Sequence, residues 1–184
     1  SFHLSGLYAF EEEAVALLPG SIKDFCLRKK HHIGVEYKPT KNLLRMPRNL
    51  EKLSCDVLPF YDLETAPSTL VHLDFGSAHL PIALLANLRA WKQLNLLQTL
   101  KLSFVAESEG DFESFLAATP RSLKTLRLSS EKANTAWTKT SIALLPPTLQ
   151  RLKLLHFDDS PNVPWDHLGC KSLTSYHSIC FSEN

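Results

Sequence analysis

Glycine is scarce in this chain, at 6 of 184 residues, so glycine-rich loops that cradle phosphates have little raw material. No apolar run reaches the roughly 18 residues that suggest a membrane-spanning helix. An excess of one charge is also lacking. Lys and Arg number 20 against 19 Asp and Glu, a net charge of +1. That balance argues against bulk electrostatic attraction to nucleic acid or anionic membrane, while leaving room for a local patch. The N-terminus, Ser1-Phe2-His3-Leu4, has no basic stretch followed by an apolar one and does not read as a signal peptide. It also lacks an initiator Met, so the start reads as processed or as cut from something longer. The four cysteines, Cys26, Cys55, Cys170 and Cys180, show no CxxC spacing, which argues against a structural zinc site. No Asn-x-Ser/Thr sequon occurs. Together these absences favour a reducing, intracellular setting, with a Cys170–Cys180 bridge as the alternative.

Leucine, by contrast, accounts for 34 residues, and it is periodic. An apolar residue closely preceded by proline is followed by apolar residues at +3 and +5. Pro19 leads to Ile22, Phe25 and Leu27; Pro47 to Leu50, Leu53 and Cys55; Pro67 to Leu70, Leu73 and Phe75. Leu97, Leu100 and Leu102 repeat the pattern without the proline. Pro120 leads to Leu123, Leu126 and Leu128, and Pro147 to Leu149, Leu152 and Leu154. A degraded copy has Leu173, Tyr176 and Ser178. The first positions are therefore 22, 50, 70, 97, 123, 149 and 173, separated by 28, 20, 27, 26, 26 and 24 residues. Phe2 and Leu4 fit the +3 and +5 positions of a further, truncated copy. The apolar-x-apolar core of each copy is a strand signal with one buried face. One short strand cannot bury that face alone, but stacked copies build a parallel sheet over a continuous leucine core. Proline falls just before each strand, where its missing N–H is not needed by the ladder.

The intervening segments cross back on the other side. Asp111 reads as the cap of a short helix carrying Phe112, Phe115 and Leu116 on one side. Pro81 to Leu94 places Leu84, Leu85, Leu88 and Trp91 at helical spacing. Tyr8 to Leu18 has Glu11, Glu12 and Glu13 where a helix start favours acids. Thr140 to Leu145 is long enough for one or two turns, and the 20-residue step between Leu50 and Leu70 leaves room only for a loop or a 3₁₀ turn.

With this spacing and its Leu-x-x-Leu-x-Leu core, the chain resembles the leucine-rich repeat family over nearly its full length. Its proline-led form resembles irregular repeats of protist and fungal proteins. Its helix-bearing spacing resembles intracellular types such as ribonuclease inhibitor and F-box repeat proteins. One departure concerns position +8, where the family usually has Asn or Cys. Here it holds Lys30, Leu58, Ala78, Val105, Glu131 and Phe157, so an asparagine ladder cannot be assumed. The resemblance implies an α/β leucine-rich repeat solenoid, with a curved parallel sheet on the concave side and short helices, 3₁₀ turns and loops on the convex side. It spans 1–184 as a single domain of about seven repeats, read as a fragment of a longer chain. It also implies protein–protein interaction through the concave face, with no cofactor and no enzymatic activity.

In this fold the residues between the buried leucines face the concave side. At +2 these are Asp24, Lys52, His72, Thr99, Thr125, Arg151 and Ser175. At +4 they are Cys26, Ser54, Asp74, Lys101, Arg127, Lys153 and His177. At +6 they are Arg28, Asp56, Gly76, Ser103, Ser129, Leu155 and Ile179. Lys101, Arg127 and Lys153 stack on consecutive strands about 4.8 Å apart, with Arg151 alongside. Like charges so placed repel by a few tenths of a kcal/mol per pair, so the strip reads as a dock for an acidic segment of a partner, against the alternative of a solvated face. Asp24, Asp56 and Asp74 make the opposite end acidic, a polarity that would orient an extended partner. The residues expected to contact a partner are Lys101, Arg127, Lys153, Arg151, His72, Asp74, Lys52 and Asp56.

Other features read as structural. Arg28-Lys29-Lys30-His31-His32 lacks interleaved aromatics and reads as a solvated loop, and neighbouring histidines on a strand point to opposite faces. His72, Asp74, Cys26 and Ser54 share a surface, but there is no Gly-x-Ser-x-Gly elbow and an open face does not exclude water. Trp91, Trp137 and Trp165 read as core packing, with Trp137, in a polar stretch, the best candidate for an exposed anchor. Phe104 to Asp111 reads as an acidic loop, and Asp158 to Trp165 as a rigid irregular loop near a capping repeat. The reading is thus an adaptor or recognition module. The alternative is a structural subunit of a large, ribonucleoprotein assembly, contacting RNA through Arg28–Lys30 and the Lys101–Lys153 strip.

Overall fold

The leucine periodicity translates directly into strand register. The structure, a computed structural model, describes residues 1–5, 19–28, 46–55, 66–82, 85, 89–105, 109–130, 137–155 and 175–179. Among these, eight strands form one sheet: β1 (Phe2–Ser5), β2 (Asp24–Arg28), β3 (Lys52–Cys55), β4 (His72–Pro81), β5 (Thr99–Val105), β6 (Thr125–Ser130), β7 (Arg151–Leu155) and β8 (Ser175–Ile179). They lie in chain order, β1 to β8, and every neighbouring pair is parallel. The +3 residues align across the whole sheet: Phe2, Phe25, Leu53, Leu73, Leu100, Leu126, Leu152 and Tyr176. The chain folds as a leucine-rich repeat solenoid.

Each repeat opens with a turn. The N–H of Ile22, Leu50, Leu70, Leu97, Leu123 and Leu149 donates to the carbonyl three residues earlier, at Pro19, Pro47, Pro67, Leu94, Pro120 and Pro146. Proline thus contributes its carbonyl while its missing N–H costs nothing. In the sixth turn the acceptor is Pro146 rather than Pro147. The next carbonyl accepts twice from the following repeat, as when Gln98 O receives the N–H of both Lys124 and Thr125.

The +8 positions give no ground for assuming an asparagine ladder, but a hydroxyl ladder runs one residue before the first leucine of several repeats. Thr69 Oγ1 donates to Leu50 O at 2.8 Å and lies 3.2 Å from Arg48 O. Ser122 Oγ reaches Leu97 O at 2.7 Å, and Thr148 Oγ1 reaches Leu123 O at 2.8 Å and Arg121 O at 2.6 Å. Asn49 Nδ2 makes the corresponding bond to Gly20 O at 3.2 Å. Leu96 holds this position before β5, has no hydroxyl, and stands 53% exposed. Leu96→Thr restores the rung and removes exposed apolar surface, so it should raise the melting temperature by about 2–4 °C, whereas Thr148→Val should lower it by a similar amount, each change being worth about 1 kcal/mol. Thermal unfolding of the two variants checks this, and a lower melting temperature for Leu96→Thr would refute it.

The convex side seals the core. After β4, Ile82 and Leu85 are helical and buried, and a 3₁₀ turn follows at Arg89–Lys92. The helix expected over Pro81 to Leu94 therefore starts later, because β4 runs through Pro81; Leu84 and Leu88 lie outside the described residues. Trp91 is buried, and its Nε1 donates to Leu85 O at 2.6 Å. Helix α1 (Glu109–Ala118) buries Phe112, Phe115 and Leu116 as expected. It begins at Glu109, so Asp111 is inside its first turn rather than at its cap, and the acidic loop expected up to Asp111 is partly helix. Helix α2 (Lys139–Ala143) is capped by Thr138, whose Oγ1 accepts from Ser141 N at 3.0 Å. The same hydroxyl donates to Glu113 Oε1 at 2.7 Å, tying α2 to α1.

Trp137 is not an exposed anchor. It is 5% exposed and meets Phe112 edge-on at 5.0 Å. Its ring joins an aromatic stack, since Phe112 also lies on Phe104 of β5 at 5.5 Å. The Tyr8–Leu18 helix, the Leu50–Leu70 loop beyond Cys55 as far as residue 65, the Arg28–His32 run beyond Arg28, Trp165, the Asp158–Trp165 loop and the Cys170–Cys180 pair lie outside the described residues. No helix among the described residues is long and apolar enough to cross a membrane.

Candidate functional site

Strand alternation alone decides which side chains reach the concave face. Burial alternates along β5 and β6, with Leu100, Leu102, Leu126 and Leu128 inside and Lys101 and Arg127 outside. Register then sets rows across the strands. Asp74, Lys101, Arg127, Lys153 and His177 form one row, and His72, Thr99, Thr125, Arg151 and Ser175 form another.

The N-terminal half of this face is internally balanced. Lys101 Nζ lies 3.2 Å from Asp74 Oδ2. Asp74 Oδ1 also accepts the Gly76 N–H at 2.9 Å. Gly76 has φ 56°, in the left-handed region that a side chain disfavours. There β4 bulges. Asp74 pairs with Lys101 and His79 with Ser103, so Phe75 to Ala78 stand opposite Leu102 alone. Ser103 Oγ donates to Gly76 O at 3.3 Å and closes the bulge.

Asp24, Lys52, Ser54, His72, Asp74 and Lys101 line a shallow depression of about 240 Å³, floored by Leu53 and Leu73. Burial pushes the His72 imidazole below its ordinary value, and the cations Lys52 and Lys101 push it further, against a smaller pull from Asp24. A folded-state value below the unfolded one means that the unfolded chain binds the proton more readily. Stability from this group is therefore present above about pH 6.5 and is lost as pH falls through the lowered folded value. His72→Gln should flatten that part of the stability curve, as measured by urea midpoints from pH 7.5 to 5; an unchanged slope would show that His72 is not responsible.

The C-terminal half differs. Arg127 and Arg151 are exposed and Lys153 is half-buried. Among the described residues no carboxylate pairs with any of the three. The register places Lys101, Arg127 and Lys153 in one row as expected, with Arg151 alongside; Lys101 is engaged by Asp74, and among the described residues Arg127, Lys153 and Arg151 have no carboxylate partner. The expected acidic end is also uneven. Asp74 is spent on Lys101 and Gly76, Asp24 is opposite Lys52, and Asp56 lies outside the described residues.

Of the expected contact residues, Lys52, His72, Asp74 and Lys101 thus come together in the depression, while Arg127, Lys153 and Arg151 form a neighbouring cluster. Thr125 and Ser129 were not singled out, yet they flank Arg127 on the same face of β6, both half-buried. Alternation on β6 was the signal that held them. Cys26 is half-buried and Cys55 is buried, and no disulfide joins the two. Among the described residues no group of three His, Cys, Asp or Glu is placed to hold a metal.

No family model matches the chain. No curated protein matches it either. Among solved structures, it is similar to the leucine-rich repeat-containing protein LegL7 from Legionella pneumophila, with 13% identity and a TM-score of 0.47. The likeness covers 95% of this chain and 62% of that one, so this chain spans less than two thirds of that protein's length.

Proposed function

We propose that the chain is a non-enzymatic protein-interaction module, an adaptor or recognition domain working inside the cell, that receives an acidic segment of a partner protein on its concave face. The observation that carries this reading is the cluster of Arg127, Lys153 and Arg151 on two adjacent strands, with no pairing carboxylate among the described residues. Such a cluster is mildly self-repelling, and a complementary partner relieves the repulsion while fixing orientation. The face is open rather than a pocket that excludes water, which suits recognition more than catalysis.

The test is an affinity purification with crosslinking from the native source, comparing the chain with a variant carrying Lys101→Glu, Arg127→Glu and Lys153→Glu. One dominant partner protein, present with the unaltered chain and absent with the variant, supports the reading. Equal recovery of the same proteins with both refutes it. Co-purified RNA, released steeply as salt rises, would instead make the strip a nucleic-acid contact of a larger assembly.

A further inference from the structure

We propose that the segment received by this face carries a phosphorylated serine or threonine, and that the phosphate seats on Arg127 between the hydroxyls of Thr125 and Ser129. This rests on the reading above and narrows its partner from an acidic segment to a phosphorylated one.

The layout of β6 and β7 carries the inference. Thr125, Arg127 and Ser129 alternate on one face of β6, and their register partners on β7 are Arg151, Lys153 and Leu155. Same-face residues are about 6.6 Å apart along a strand and about 4.8 Å apart across strands. Three cations and two hydroxyls therefore fall within a patch roughly 13 Å long and about 5 Å wide, with Arg127 at its middle. Arg127 is exposed, and Thr125 and Ser129 beside it are half-buried.

A carboxylate brings one charge and two acceptor oxygens. Answering three clustered cations with carboxylates needs three of them at the same spacing, and they repel one another as the cations do. A phosphate monoester instead concentrates a charge of about −1.5 to −2 and three strong acceptor oxygens at one point. That is enough for a two-pronged bond from Arg127, an ion pair with Lys153 and a bond from a neighbouring hydroxyl. On the other side, Lys101 is held by Asp74, so the seat is bounded toward β5. The outward positions of β5 to β7 carry no aromatic ring on which bases stack. The patch therefore favours a protein segment over RNA.

The test is fluorescence polarisation at constant ionic strength with three labelled octapeptides. One is acidic with a central serine, the second is the same peptide phosphorylated on that serine, and the third matches the charge of the second with two added glutamates. The phosphorylated peptide should bind at least about tenfold more tightly than its charge-matched counterpart. Arg127→Lys keeps the charge and loses the fork, so it should erase most of that preference. Thr125→Val combined with Ser129→Ala should weaken the phosphorylated peptide about threefold or more and leave the glutamate peptide unchanged. Circular dichroism confirms that each surface variant is folded. Equal binding of the phosphorylated and glutamate peptides overturns the phosphate inference and leaves the acidic-segment reading standing. Absence of binding by all three, or unaltered binding to an Arg127→Glu variant, overturns both. Tighter binding of an oligouridylate of matched charge overturns the proposal in favour of RNA.

Discussion

Phe112→Ala should cost about 3–5 kcal/mol of stability, the range for removing a fully buried aromatic from a packed core. Phe112 is 1% exposed on α1. It lies on Phe104 of β5 with ring centroids 5.5 Å apart and planes 15° apart, and Trp137 meets it edge-on at 88°. This single ring therefore joins the sheet, α1 and the segment leading to α2. A folded domain is stable by only about 5–15 kcal/mol in total, so the variant stands near the edge of folding. Contacts in a solenoid are between neighbours, and the loss falls first on the repeats around β5, β6 and β7. Urea unfolding measures it. A midpoint shift worth less than about 1 kcal/mol would show that the stack relaxes around the gap. Phe112→Leu fills most of the volume and should cost clearly less.

Reversing Arg127 and Lys153 to glutamate should abolish recognition without unfolding the chain. Each exposed charge pair at about 4 Å is worth roughly 1 kcal/mol in water, and reversal turns attraction into repulsion, a swing of about 2 kcal/mol per site. Two sites together weaken binding of an acidic partner by about 4 kcal/mol, close to a thousandfold. Lys101→Glu should do less, because Asp74 already holds Lys101 at 3.2 Å. The melting temperature should stay within a few degrees, since Arg127 is exposed and Lys153 is half-buried, with no carboxylate partner among the described residues to lose. Titration of the partner against each single variant reads the order Arg127 and Lys153 before Lys101. A larger effect at Lys101 would place the binding surface over the depression instead.

These two predictions draw on different levels of information. The rows that hold Lys101, Arg127 and Lys153 follow from counting residues between leucines, because a strand alternates its side chains with a period of two whatever surrounds it. The same counting aligned Phe2 with Phe25 and Tyr176 with Leu152. The hydroxyl ladder was equally present as a recurring Ser or Thr before the first leucine. Its meaning depends on a carbonyl roughly one repeat away, so the residues alone do not announce it.

What the sequence by itself determined was the repeat, the register and the choice of face, since covalent geometry and apolar spacing act locally and recur in every copy. The tertiary structure alone decided three things. Trp137 is buried because folding brings it against Phe112, 25 residues earlier in the chain. Asp111 lies within α1 rather than capping it because the helix starts at Glu109. Lys101 is neutralised while Arg127 is not because the bulge at Gly76 holds the Asp74 carboxylate next to β5 and no farther. Each depends on which groups meet across separate repeats, and a one-dimensional pattern does not contain that distance.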